Sequence, residues 1–568
     1  MSICSQTQGA HLRHLILALL VLLALGLTSQ SYAEDVLVAD GQARCCIVIP
    51  EGTEGRVLEG SACRVLQAAQ DLADYLHAMS GARIPIRWDI DVDDYPGFRI
   101  MIGSTSLAPV DPAAVSQEQV GYDGFIIRSV PGGVVIAGRN AQGTANGVYH
   151  FAEEVLGIHW YSLEDSGPTI PRRSTVQIPH LDLTVKPDFA WRGQYYSIAT
   201  KYFTDEMKAN RNAWWRFNRL WGISAECYHS FFAIVPNSLF AEHPEYFALI
   251  DGKRTPGDVN VQRCLSNPDV LQRAIQYSRE QFERYPDLRF TTLSANDGGG
   301  WCQCEACQAM GPTQAHRSLA FCNAVAKANE ELYPTRGYVF FAYLDTLDPP
   351  LDMKAHRNVV PMVAFMSQCR THSIYSDCPD AIYKRKVLEG WQKVAGRFAI
   401  YTYLNGGAFT GPGVITYAEY LRFARDHGCI GGFREHTAGP QANWAMLNWM
   451  EVKLMWDVDQ DVAKLRRQFI EGYYGQAAAD SIERVYDNIE NSLRNSSIGP
   501  RPKSYTYDHN HMSLEFLKPF VDACRDDIDT ALEIARTEQN KSFARRIARD
   551  MGALLGQLPA DLQGLLEE

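Results

Sequence analysis

An acid, an indole and three thiols are packed into Ser294-Ala295-Asn296-Asp297-Gly298-Gly299-Gly300-Trp301-Cys302-Gln303-Cys304-Glu305-Ala306-Cys307, directly after a strand candidate at Leu288 to Leu293. Three consecutive glycines let the backbone approach a ligand closely. Asp297 can hold or polarise a polar substrate group, Asn296 adds an amide, and Trp301 offers a stacking face. Asn-Asp-Gly also forms simple turns; its place at a strand end favours function. Cys302, Cys304 and Cys307 can hold zinc if a fourth ligand joins them. No second C-x-x-C matches them, so the expected role is a disulfide staple, with Cys264, Cys369 or Cys378 as partner. Cys369, His372 and Cys378 form a second small cluster, and the same argument applies. No metal and no other cofactor is expected.

Further along, Gly432-Phe433-Arg434-Glu435-His436 ends a strand candidate on a carboxylate flanked by two bases. Such neighbours tune a pKa, and Glu435 is a candidate general acid/base. Asp345, after Phe341-Ala342-Tyr343-Leu344, is a third carboxylate. Two carboxylates flanking a cleft are the minimum for glycoside hydrolysis. Asp297 and Glu435 are the expected catalytic pair. Asn296, His229, Trp301, Tyr343, Asp345, Tyr403 and His436 are the expected substrate ligands, with Tyr401 and Trp444 as further cleft candidates. No serine elbow, zinc-protease helix or kinase loop competes. The glycines between Gly138 and Gly147 lack the Lys-Ser/Thr of a P-loop and the spacing of a dinucleotide fingerprint. Close packing of helix on sheet is their expected role.

The elements that must position these residues fall into stretches of different rhythm. Up to about residue 185, strands at Cys45–Ile49, Arg99–Gly103, Gly124–Ile127 and Val134–Ala137 alternate with helices, one of which carries Val65, Leu66, Ala69, Leu72, Leu76 and Met79 at helical spacing. Pro168, Pro171 and Pro179 mark a linker. Strand candidates then end at Tyr196, His229, Ser266, Asp297, Asp345, Met366, Leu404 and His436. Helices at 205–220, 268–285, 315–333, 380–395 and 415–427 lie between most of them. This is an α/β rhythm fitting a (β/α)8 barrel, whose C-terminal strand ends build the site. Beyond about 460 the pattern is helical. The expected organisation is a leader at 1–33, a small α/β domain at 34–185, the barrel at 186–460 and a helical region at 461–568.

Several classes of protein are excluded. A formal net charge of −12 opposes nucleic-acid binding, which needs a basic stripe. The apolar run Leu15 to Leu27, followed by Ser31-Tyr32-Ala33, reads as a secretory signal cleaved after Ala33, too short for a comfortable span at ~20 residues. A periplasmic or secreted protein is expected, with no membrane contact after cleavage. Fourteen cysteines less Cys4 of the signal leave an odd thiol count, so at least one stays free or pairs between chains.

Asn296-Asp297-Gly298 followed by the C-x-C-x-x-C resembles the signature of the domain of unknown function 4838 family. So do His243-Pro244-Glu245-Tyr246-Phe247, Asp251-Gly252-Lys253-Arg254, Cys264-Leu265-Ser266-Asn267-Pro268 and Lys453-Leu454-Met455-Trp456-Asp457. Ile136 to Tyr149 and Leu156 to Tyr161 are similar to the small domain preceding the barrel in hexosaminidases and α-glucuronidases. The resemblance implies a (β/α)8 glycoside hydrolase. It also implies kinship with glycoside hydrolase family 163, whose members are endo-β-N-acetylglucosaminidases on complex N-glycans. There the substrate's acetamido oxygen attacks the anomeric carbon, one carboxylate orients the amide and another is the acid/base. The implied partner is a glycan or glycoprotein substrate. Two other readings of the same residues are a non-catalytic glycan-binding protein and a metal-dependent protein using the cysteine cluster.

Overall fold

A computed structural model describes residues 35–51, 61–92, 95–163, 165–195, 205–256, 261–366, 369, 371–404, 413–436, 444–495 and 514–567. The expected signal and the strand end at Tyr196 lie outside these residues.

The first layer is a six-stranded sheet in the order Ile86–Trp88, Cys45–Ile49, Phe98–Ile102, Gly133–Gly138, Phe125–Val130, Asp182–Val185. Its first four strands are parallel, and Phe125–Val130 pairs antiparallel with both Gly133–Gly138 and Asp182–Val185. Helices Ser61–Ser80 and Ala141–His150 cover one face. The first of these buries Val65, Ala69, Leu72, Leu76 and Met79, the side its periodicity marks. The glycines of 138–147 serve packing: a β-carbon on Gly138 would lie 2.3 Å from Gly143 backbone, and one on Gly147 would lie 2.7 Å from Ile136. The second helix ends in a wider π turn at Phe151–Val155, and Glu153 in that turn is buried.

The second layer is a curled parallel sheet. Trp191–Tyr195, Cys429–His436, Phe398–Leu404, Val359–Ala364, Gly337–Ala342 and Phe290–Thr292 pair in that order, all parallel. Trp191 and Phe290 lie on strands at opposite ends of this series, yet their rings stack with centroids 6.2 Å apart. The sheet therefore curls until its ends approach. The segment 221–229 touches both ends. Gly222 pairs antiparallel with Trp191, while Ala225 and His229 bridge in parallel to Phe290 and Ser294. Trp191, Phe290, Val339, Val360, Met362, Ala399, Tyr401 and Phe433 fill the inside of the curl as one apolar cluster. The eight strand ends expected from sequence reduce at Ser266. That segment joins no strand of the sheet, and Arg263 bridges antiparallel to Phe247 instead.

Helices Asp205–Phe217, Pro268–Arg284, Gln314–Ala328, Pro379–Ala395, Val414–Asp426 and Trp444–Trp456 surround the curl. The C-terminal region is built of helices, among them Leu514–Ala523 and Arg525–Thr537. Trp444, an expected cleft residue, is in the core at 3% exposure.

Buried charge joins the two layers. Glu153 of the first layer pairs with Lys453 and, at 2.6 Å, with Arg219, and all three side chains are almost wholly buried. Lys453 also donates to Asn218 Oδ1 at 3.1 Å. Beside them the fully buried Arg192 and Asp123 pair, and the Arg192 guanidinium sits 4.5 Å from the Trp456 ring centroid. Burial alone would raise the Glu153 carboxyl, but the charges of Lys453 and Arg219 hold it well below the ordinary range. A carboxyl depressed by folding contributes stability that is complete above its unfolded pKa and is lost as pH falls through the folded value. Melting temperature is therefore expected to drop on acidification below about pH 4.3. Glu153→Gln leaves two buried cations underpaired and is expected to cost about 3–5 kcal/mol at neutral pH. Chemical denaturation across pH checks both, since the variant should also show a flatter acid limb.

Candidate active site

Because the strands are parallel, their C-terminal ends form one rim. Side chains alternate along each strand, so Tyr343, Tyr401, Tyr403 and Glu435 fall on the inner face with Phe341 and Phe433. Outward neighbours anchor the sheet instead: Arg434 pairs with the buried Glu451, which also accepts from Gln194 Nε2 at 3.0 Å and from Tyr417. Glu435 accepts from Tyr401 Oη at 2.9 Å. Burial first, and the Glu435 charge second, push the Tyr401 phenol far up, so it stays a proton donor. From Tyr401 a line of rings leads across the cup. Phe341 packs edge-on at 5.6 Å, and His229 lies 5.0 Å beyond it.

His229 Nδ1 is 2.5 Å from the carbonyl of Ala295. A carbonyl only accepts, so this nitrogen carries the proton, and Nε2 is left to accept in the neutral ring. Nε2 faces Asp297 Oδ1 at 3.9 Å. The Asp297 side chain is 59% exposed. Trp301 donates its indole N–H to Asp345 Oδ2 at 3.0 Å. His229, Gly298, Trp301, Tyr343 and Asp345 line one cleft of about 250 Å³. Tyr401 and Tyr403 line a neighbouring cavity of about 620 Å³ together with Cys369, His372 and Lys384. The structure thus brings His229, Asp297, Trp301, Tyr343 and Asp345 to one side of the cup. Tyr403 and Glu435 stand on adjacent strands at the other, in direct register. The His436 backbone pairs with Leu404, and its side chain lies outside the described structure.

Asn296 touches the cleft but is only 3% exposed. Its Oδ1 accepts from Phe232 N–H at 3.0 Å and its Nδ2 donates to Val261 C=O at 2.8 Å. Gln262 completes the brace, accepting from Asn296 N–H at 2.8 Å and donating to the carbonyls of Asn296 and Gly298 at 2.8 and 3.1 Å. Asn296 is thus placed as a positioning residue that fixes the turn carrying Asp297. Gln262 and Thr346 escaped the sequence reading. Thr346 Oγ1 donates to the carbonyls of Phe341 and Tyr343 at 2.8 and 2.9 Å and holds Leu344 at φ +50, a conformation rare for a bulky residue. That strained turn sets Tyr343 and Asp345 on the rim. Nothing in a lone Thr or Gln reveals such a brace; its partners are backbone groups far away in sequence.

The expected disulfide staple is corrected. Cys264 does join Cys302, Cys304 and Cys307, but its sulfur lies 3.7 Å from those of Cys304 and Cys307, and no cysteine among the described residues is bonded to another. A disulfide needs about 2.05 Å. Cys369 Sγ likewise lies 3.5 Å from His372 Nδ1 and is unbonded to Cys378. Asn296→Ala should cost about 1–3 kcal/mol by orphaning two backbone groups. It should also speed proteolysis within 296–301, with cleavage mapped by mass spectrometry as the check.

Two solved structures share the fold. One is a glycoside hydrolase family 138 enzyme targeting pectin rhamnogalacturonan II, 12% identical, with 89% of this chain and 68% of that one covered at a TM-score of 0.51. The other is a family 89 glycoside hydrolase from Clostridium perfringens in complex with 2-acetamido-1,2-dideoxynojirmycin. It is 11% identical, with 88% of this chain and 61% of that one covered, also at 0.51. No curated protein matches the chain. The profile of the domain of unknown function DUF4838 matches residues 162–487, more than half the chain, and the chain belongs to that family.

Proposed function

We propose that this protein is an exported glycoside hydrolase cleaving glycans at N-acetylglucosamine, with Asp297 and Glu435 as its catalytic carboxylates. The observation that carries this reading is the rim. Carboxylates, phenols, an indole and an imidazole from separate strand ends converge on one cup, the composition a neutral polyhydroxylated ligand needs. Support also comes from the fold neighbours, both glycoside hydrolases, one of them solved with an acetamido-bearing compound. The curled sheet on this reading belongs to the (β/α)8 barrels, with 221–229 standing where a second stave would be. Residues 1–33 are the export signal, directing the chain to the periplasm or outside the cell.

The two carboxylates take different roles. The Tyr401 hydroxyl donates to Glu435 and fixes its carboxyl group on the rim, and on this reading Glu435 orients the substrate's acetamido group and steadies the charge that develops at the anomeric carbon. Asp297 faces the accepting nitrogen of His229. It protonates the leaving oxygen as the acetamido oxygen attacks, and then accepts a proton from the water that opens the cyclic intermediate. The configuration is retained.

Asp297→Asn and Glu435→Gln are each expected to lower kcat at least about 100-fold on a complex N-glycan while leaving the melting temperature near that of the parent. An aryl leaving group that needs no protonation should restore most of the loss in Asp297→Asn and little of it in Glu435→Gln. Full activity in both variants would sink the assignment. Tight binding without cleavage across a glycan panel would favour a non-catalytic lectin-like role.

A further inference from the structure

Beside the cleft, four thiols from two distant segments meet. Cys264 follows the strand-like pairing of Phe247 with Arg263, and Cys302, Cys304 and Cys307 follow Trp301. Their sulfurs all lie within 4.8 Å of one another. The two separations of 3.7 Å from Cys264 match the edge of a tetrahedron built on a Zn–S bond of about 2.3 Å, which is about 3.8 Å. A disulfide arrangement would show about 2.05 Å, and an ordinary apolar cysteine packs against carbon rather than three other sulfurs.

The surroundings suit thiolates. Leu249 N–H points at Cys302 Sγ at 3.3 Å and Cys307 N–H at Cys304 Sγ at 3.5 Å. Ser266 Oγ lies 3.2 Å from Cys307 Sγ and 3.6 Å from Cys304 Sγ. Donors of this kind orient sulfur ligands and offset their charge. Cys264, Cys302 and Cys307 are 2–4% exposed, so four sulfurs close the site and leave no position for a substrate. The backbone is shaped to deliver them. Asp251 and Gly252, at φ +49 and +77, turn the Leu249–Arg254 hairpin tightly enough to present Leu249 to Cys302. This arrangement takes no part in the proposed chemistry and does not depend on it.

We infer that Cys264, Cys302, Cys304 and Cys307 hold one zinc ion in a closed, structural four-thiolate site that clamps the loop bearing Asp297 and Trp301 to the 247–266 segment. Tetrahedral all-sulfur ligation selects zinc or iron over the hard cations, and a closed colourless zinc site is the structural use of this ligand set.

The test uses the full mature chain. Elemental analysis after gel filtration is expected to find about one zinc per chain, released by a thiol-modifying mercurial and absent from Cys302→Ser and Cys307→Ser. If those variants fold poorly, the parent alone decides. After reduction and metal stripping it should take up Co(II) and develop the charge-transfer bands of four thiolate ligands. Intact and peptide mass spectrometry showing the four sulfurs in two disulfides would overturn the site. So would failure of the reduced chain to take up either ion, and iron in the purified protein would overturn the choice of zinc.

Discussion

The placement of the cup rests on a cluster of charges that water does not reach. Glu153 comes from the first layer, Arg219 from the end of the Asp205–Phe217 helix and Lys453 from the helix that closes the curled sheet. An isolated ion so deeply buried would be prohibitive, and removing one partner is far more costly than never having had the group. The cluster therefore tolerates one arrangement of three elements and penalises others. Arg219 shows the constraint: it sits at φ +57, and its carbonyl accepts from both Arg192 Nε at 3.0 Å and Trp456 Nε1 at 3.3 Å. Those two bonds hold a backbone conformation that an arginine would otherwise avoid. With the layers locked at this point, the first strand of the curl starts from a fixed position, and the rim at the other end of the strands inherits it.

Much of this was legible in the residues, and what was not has physical reasons. Amphipathic helices announce themselves, and the Pro268–Arg284, Gln314–Ala328, Pro379–Ala395 and Val414–Asp426 helices fall where periodicity puts them. Asn267 and Pro268 mark one start plainly, since Asn267 Oδ1 accepts from the Asp269 and Val270 amides and proline needs no donor at the first position. The Trp444–Trp456 helix left no such trace. Every residue of it is buried, so it has no polar face and no helical rhythm. Its charged members, Glu451 and Lys453, look like surface residues and are the opposite. Ser266 misled for the reverse reason: a short apolar-to-polar transition resembles a strand end, whereas its residues build the cysteine corner.

The site divides in the same way. Asp297, Tyr343, Asp345, Tyr403 and Glu435, chosen for strand-end position, lie toward the C-terminal ends of the parallel strands, because a parallel curled sheet brings successive strand ends to one rim. Roles within the ring depend on contacts across strands, which spacing does not encode. Asn296 and Asp297 are neighbours in sequence and face different tasks, one bonded into backbone and the other open to solvent. Cys264 was one of three candidate partners for the motif nearly forty residues later, and spacing could not choose among them, because the matching half carries a single cysteine where a knuckle would carry two.

These features explain why motifs scattered over sixty-odd residues make one local device. The His243 and Tyr246 rings stack at 4.5 Å, the Arg263 guanidinium covers the Phe247 ring at 4.6 Å, and Arg254 donates to the Phe247 carbonyl. The hairpin, the sulfurs and the Asn296–Gln262 brace then follow in contact. A glycine-rich loop gains reach from its freedom but loses precision, since each unrestrained residue costs entropy when a ligand orders it. Bracing Asn296 on one side and anchoring Cys302 on the other leaves only Asp297 to Trp301 between fixed points. Asp297 and Trp301 are thereby carried on a short glycine-rich loop whose two ends are tied into the surrounding backbone.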